Sequence, residues 1–211
     1  MWTPVPRPAS CASVDGTVNL YFGSYEPDAH GVPLDDVVLR VATEDDLVAC
    51  GELVARREGS DADAVTERLR HVHDDRDQVV MVADLHGEVV GYARASRLTP
   101  VADGGSNAPD GWYLSGLVVA PEYRRRGIGR SLTEARCEWV WERADAVHYV
   151  VSGSNRASQD MHASLGFREV TRDFSVPGVV FSHGGGVLCR AEAPTRRLVT
   201  FPRRWAATVG R

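Results

Sequence analysis

The apolar positions of this chain fall into two rhythms. Short runs rich in Val, Ala and aromatic residues at 37–42, 79–83, 89–94, 112–120 and 147–152 read as strands. The runs at 79–83 and 89–94 flank His86–Gly87, which marks a hairpin turn. Helical spacing fills the intervals. Thr43 with Asp46 three positions later predicts an N-cap ahead of a helix at 47–55, and Asp61–Ala62–Asp63 opens a second helix running to about His73. A long helix is predicted at 128–143. Another carries Ala157, Met161 and Leu165 on one stripe and stops at Gly166. Residues 167–174 and 187–190 supply the last strands, with 179–181 extending the pairing, and 102–110 is a Gly/Asn/Pro loop. The resulting order is β-α-α-β-β-β-α-β-α-β-β, without an internal repeat.

The ends differ from this body. Residues 1–36 are rich in Pro, Gly, Ser and Asp and read as an irregular extension, with 18–22 as a short strand. One domain then spans 37–192, followed by a basic tail over 193–211. That tail holds five arginines and no carboxylate, so the preceding 192 residues carry about −10 of the net −5. An acidic body of this kind repels nucleic acid and suits a cationic small molecule. Apolar residues make up 43% and charged residues 25%, ordinary values for a water-soluble enzyme, and no run is long enough to span a bilayer. The four cysteines lack metal-ligand spacing. They predict reduced thiols in the cytoplasm and no metal.

The tract from Leu117 to Leu132 changes the picture most. It reads as a buried strand end, a turn at Pro121, the run Arg124–Arg125–Arg126–Gly127–Ile128–Gly129–Arg130–Ser131, and a helix start. Backbone N–H groups and guanidinium groups then meet at the positive end of a helix macrodipole, a setting for a diphosphate. Gly127 and Gly129 carry no Cβ to hold such a ligand off. A Walker loop is excluded because the chain has no lysine, and a Rossmann fingerprint fails because Leu132 stands at its third glycine.

What remains resembles the Arg/Gln-x-x-Gly-x-Gly/Ala signature of the Gcn5-related N-acetyltransferase (GNAT) superfamily, with Arg124, Gly127 and Gly129 in the defining places. A second tract, Asn155-x-x-Ser158 through Gly166–Phe167, is similar to the family's Asn-x-x-Ala/Ser…Gly-Phe motif, with His162 where the family has Tyr. The resemblance implies a mixed α/β (α+β) sheet of about seven strands, flanked by about four helices and opened by a V-shaped slot. It implies acetyl-CoA as co-substrate, held by Leu117, Val118 and Val119 of the central strand, the 124–131 loop, Asn155 and Ser158. It also implies that His162 stands where the family's Tyr gives a proton to the departing thiolate, a role imidazole can take.

The general base stays open. Aminoglycoside 6'-acetyltransferases often carry Glu before the central-strand glycine, whereas here Ser115 precedes Gly116. Ser115 either positions a water or only makes space. The style of the second motif is similar to that of bacterial aminoglycoside N-acetyltransferases. That likeness nominates Glu52, Glu58, Asp61, Asp63, Asp110 and Trp112 for an amine substrate. A Lys or N-terminal protein acetyltransferase and a non-catalytic CoA-binding module are the alternatives, and a homodimer is left open as the assembly.

Overall fold

The computed structural model describes residues 31–99, 108–176, 179–181 and 185–194. Strands β1 (Val37–Val41), β2 (Gln78–Leu85), β3 (Glu88–Leu98), β4 (Gly111–Val119), β5 (Ala146–Ser152), β6 (Arg168–Thr171) and β7 (Gly186–Glu192) form one sheet, ordered β1-β2-β3-β4-β5-β7-β6. Helices α1 (Leu47–Glu58), α2 (Ala62–His73), α3 (Ile128–Trp141) and α4 (Arg156–Ser164) link them in the order expected from the sequence. Every neighbouring pair is antiparallel except β4 with β5.

Local chemistry explains the element boundaries. The Asp46 carboxylate accepts hydrogen bonds from the Thr43 N–H at 2.7 Å and hydroxyl at 2.8 Å, closing a turn of 3-10 helix, Glu44–Asp46, ahead of α1. Arg40 clamps the same carboxylate and that of Asp84, and its guanidinium holds Asp46 down to about 2. Asp61 caps α2 by accepting from the Ala64 N–H at 2.8 Å, and α1 stops at Gly59, whose φ of 65° is left-handed.

Several boundaries differ from expectation, among them the strand expected at 167–174, which is β6 at Arg168–Thr171 only. Strand β3 runs on to Leu98 because Ser96, though polar, is buried and paired on both sides, with Gln78 and with Tyr113. Helix α3 ends at Trp141 rather than 143. Residues 179–181 are not a strand: both edges of β7 are already taken, by β5 and by β6. The expected strand at 18–22 and nearly all of the basic tail lie outside the described residues.

The core has two main layers. Leu132, Val140 and Ala135 of α3 pack on one sheet face against Met81, Ala93, Leu114 and Val147. Helices α1 and α2 cover the other face through Leu47, Val54, Val65 and Leu69 on Val80, Val82, Tyr92 and Val118. Burying each such side chain is worth roughly 1.5–3 kcal/mol. Cys50, Cys137 and Cys189 are buried free thiols, and desolvation raises the pKa of each. No helix among the described residues is long and apolar enough to cross a membrane.

Candidate active site

Two irregularities in β4 build the site. First, β4 pairs with β5 only from Trp112 to Leu114, although β5 continues to Ser152 against β7. Beyond Leu114 the parallel strands part. Second, Arg94 pairs with Ser115 and Tyr92 with Val118, so Ala93 alone faces both Gly116 and Leu117. This is a β-bulge, and it needs glycine: Gly116 has φ 64°, and a Cβ there would lie 2.9 Å from the Tyr92 ring.

The bulge shifts the parity of the strand. Before it, Trp112 and Leu114 face α3; after it, Leu117 and Val119 do, while Val118 turns to α1 and α2. The Ala120 N–H donates to the Val90 carbonyl across the β3 side. By strand alternation the N–H and C=O groups of Leu117 and Val119 therefore point the other way, into the gap. Their carbonyls accept hydrogen bonds from Arg57 Nη1 at 3.2 Å and Arg124 Nε at 3.1 Å. A cleft of about 320 Å³ lies here, lined by Leu53, Arg57, Val118, Val119, Pro121 and Arg124.

The gap leads to the 124–131 loop. Arg125 at φ 63° and Gly127 at φ 86° turn the chain into α3, where Gly127 is the N-cap and no side chain caps the helix. The first helical bond runs from the Ser131 N–H to the Gly127 carbonyl at 3.0 Å. The amides of Ile128, Gly129 and Arg130 precede that bond, so they face outward at the positive helix end. A Cβ on Gly127 would meet nothing within 4 Å, and one on Gly129 nothing nearer than 3.8 Å. This open cradle of amides, with Arg124 beside it, fits a diphosphate on an extended arm such as that of coenzyme A. Arg130 is tied to Glu134 and to the Ser164 hydroxyl, and the Arg125 carbonyl accepts from the Gly31 N–H.

The second motif is structural in its first residues. Asn155 caps α4 by accepting from the Ser158 N–H at 3.1 Å. His162 is 4% exposed; its ring stacks on Tyr149 at 3.8 Å and meets Phe167 edge-on. Nδ1 lies 2.8 Å from the Ser158 carbonyl, which assigns it the proton. Burial pushes the imidazole down to about 4, so it is neutral at pH 7 and its one proton is committed to the backbone. That geometry speaks against the proton-donor role expected from the sequence.

The expected substrate residues do not converge. Glu52 lines an acidic cleft of about 560 Å³ with Asp45, Glu88 and Glu122, which adjoins the first cleft through Leu53, Arg56 and Ala120. Asp61 is spent on capping α2, Asp63 and Asp110 are exposed, and Glu58 pairs with Arg57 at 2.6 Å. Trp112 is a core residue: it is buried against Trp139, with ring centroids 5.1 Å apart, on the α3 side.

The residues that do meet at the bulge are arginines. Arg136 is 1% exposed and pairs with no carboxylate among the described residues. From α3 its Nη1 reaches the carbonyls of Ser115 and Arg94, each at 3.0 Å, while Nη2 donates to Thr133 Oγ1. Thr133 in turn donates to the Gly129 carbonyl at 2.9 Å, which links the bulge to the 124–131 loop. Desolvation lowers Arg136 only to about 10, so it stays a cation. Its signal was present in the sequence: Leu132, Arg136 and Val140 share one helical stripe, and an arginine there has to be buried. Ser115 accepts from Arg94 Nε at 3.2 Å.

A sheet parted beside a bulged central strand, ending at a glycine-arginine helix start, defines a class of proteins built to hold an extended, phosphate-ended ligand. Residues 37–167 match the Acetyltransferase (GNAT) family, and the chain belongs to that family. It is similar to the aminoglycoside N(6')-acetyltransferase type 1 of Salmonella typhimurium, 30% identical over 92 residues, or 43% of this chain and 63% of that protein. The chain thus spans less than two thirds of that relative. It is also similar to the protein of that name from Stenotrophomonas maltophilia, 27% identical over 64% of this chain and 88% of that one. Among solved structures, the ribosomal-protein-alanine N-acetyltransferase of Brucella melitensis superposes with a TM-score of 0.56 at 26% identity, covering 74% of this chain and 99% of that one.

Proposed function

We propose that the chain transfers the acetyl group of acetyl-CoA to a primary amine of a small molecule. The observation that carries this reading is the parted β4–β5 pair, whose exposed backbone at Leu117 and Val119 runs straight into the Gly127–Ser131 cradle. Leu117, Val118 and Val119 would hold the pantetheine arm as a strand is held, and the loop amides with Arg124 would hold the diphosphate. When bound, acetyl-CoA supplies an activated thioester. The amine nitrogen attacks its carbonyl carbon, the C–N bond forms, the C–S bond breaks, and the proton lost by nitrogen balances the one gained by sulfur. Because His162 is neutral and tied to Ser158, its contribution in this reading is to pack α4 against β5, not to donate that proton.

The curated relatives' names favour an aminoglycoside or similar small amine. The name of the Brucella neighbour favours a protein N-terminus as the second reading. Release of free thiol from acetyl-CoA, followed with a panel of small amines and N-terminal peptides, tests both. Turnover with small amines is expected. Turnover with peptides alone would transfer the assignment to the second reading, and tight CoA binding without any turnover would leave a binding module.

A further inference from the structure

The acceptor side of the bulge has the wrong charge for a polycation. Arg94 stands in mid-β3 on the face that carries Tyr92, which is the face turned to α1 and α2. Its Nε is seated on Ser115 Oγ, and no carboxylate among the described residues pairs with it. Arg57 reaches the same bulge from α1 at the Leu117 carbonyl, and Arg136 reaches it through the sheet at the Ser115 carbonyl. The fields of all three arginines converge on Tyr92, the residue packed against Gly116. Among the described residues Glu58 is the one carboxylate that answers them, through Arg57, whose buried Nε has no partner there. Five further carboxylates, Asp45, Asp46, Glu52, Glu88 and Glu122, line the adjoining cleft rather than the bulge itself.

We propose that the acceptor amine also carries an oxyanion, a carboxylate or a phosphate, and that Arg94 on its Ser115 seat receives that group. This rests on the acetyl-transfer reading above. A guanidinium held at Nε keeps its two Nη groups as a fork, the geometry that takes carboxylate or phosphate by two hydrogen bonds. Fixing the oxyanion on β3 leaves the amine end of a short molecule beside Gly116, where the strands part. A diamine of the same length would place an ammonium among three guanidinium groups. Arg94 is in this proposal a specificity-determining residue, and Arg57 and Arg136 supply the field around it.

The test compares ligands that differ at one end only. Calorimetry on CoA-saturated protein with 4-aminobutyrate, 2-aminoethyl phosphate and 1,4-diaminobutane should show both anionic amines binding at least tenfold tighter than the diamine. The tighter of the two names the source of the oxyanion. Arg94→Gln should erase the difference and Arg94→Glu should reverse it, with CoA affinity in each variant serving as the check on folding. Equal or tighter binding of the diamine or of neamine to the unaltered protein overturns the proposal, as does an anion preference that survives Arg94→Gln. Thiol release is followed in parallel. Its absence with every amine would overturn the acetyl-transfer reading, while the binding comparison still decides the role of Arg94.

Discussion

The two halves of β4 offer a ligand different kinds of group. Beyond the bulge, at Leu117–Val119 and on through the 124–131 loop, the groups on offer are backbone amides and carbonyls, with the Arg124 cation beside them. Before the bulge, at Ser115 and opposite it at Arg94, the groups on offer are side chains, with Arg94 seated on the Ser115 hydroxyl and Arg136 on the Ser115 carbonyl. Backbone recognition survives wide sequence change because any residue with the right φ and ψ supplies it. Side-chain recognition is rewritten by one substitution. On the readings proposed above, the first half marks the family and the second would set what this member accepts.

The largest expected effect lies in the backbone half. Arg124→Ala with Gly127→Asp removes a cation and puts a carboxylate, on a strained left-handed φ, at the amide cradle. Calorimetry should show CoA affinity falling by about 10²-fold or more, in keeping with the loss of charged hydrogen bonds. Unchanged affinity would sink the placement of the diphosphate. Next comes the junction. Gly116→Val meets the Tyr92 ring and an unfavourable φ together, so urea unfolding should show a loss of about 2–4 kcal/mol. Thiol release should disappear with it; a variant of normal stability and turnover would mean that the bulge is not what shapes the site.

The third test concerns His162. Unfolded, the imidazole takes a proton below its ordinary 6.5, but buried it does so only near 4. The unfolded state therefore binds the extra proton between those values, and stability falls as pH drops through that window while remaining whole above about pH 7. From pH 7 to 5 the loss should be about 2 kcal/mol, and His162→Phe should flatten it. Turnover of that variant between pH 7 and 9 should stay within a few-fold of the unaltered protein. A fall of about 10²–10⁴-fold would restore the proton-donor role. The smallest effect is reserved for Glu52→Gln. Its carboxylate lines the adjoining cleft and not the Arg94–Ser115 seat, so the KM for any amine should change less than about twofold. A larger change would move the acceptor to the acidic cleft.

These differences explain what could be read from the chain alone. The order of elements was legible because Val-rich runs and helical stripes repeat at their own periods, and the turn of the 124–131 loop into α3 because glycine spacing at 127 and 129 encodes backbone shape. The acceptor side was not. Trp112 was nominated for the amine substrate by family likeness, yet parity along β4 turns it into the core against Trp139. Asp61 looked like a substrate contact and proved to be a helix cap. Arg94 and Arg136, from β3 and α3, meet at Ser115 only because the bulge brings a carbonyl and a hydroxyl of one residue to both. A contact made through a register shift leaves no trace in linear spacing.

The parting of β4 from β5 gives this sheet an edge in its interior. Exposed strand edges invite pairing with foreign chains, and outer strands are guarded by charges or irregularities. Here the guard stands in mid-sheet: the guanidinium groups of Arg57 and Arg124 sit on the two carbonyls that a stray strand would need first. The Gly116 bulge adds a twist that no regular strand can follow. The protein thus keeps open a backbone surface suited to an extended ligand, while two arginines shield it from becoming a seed for β-aggregation.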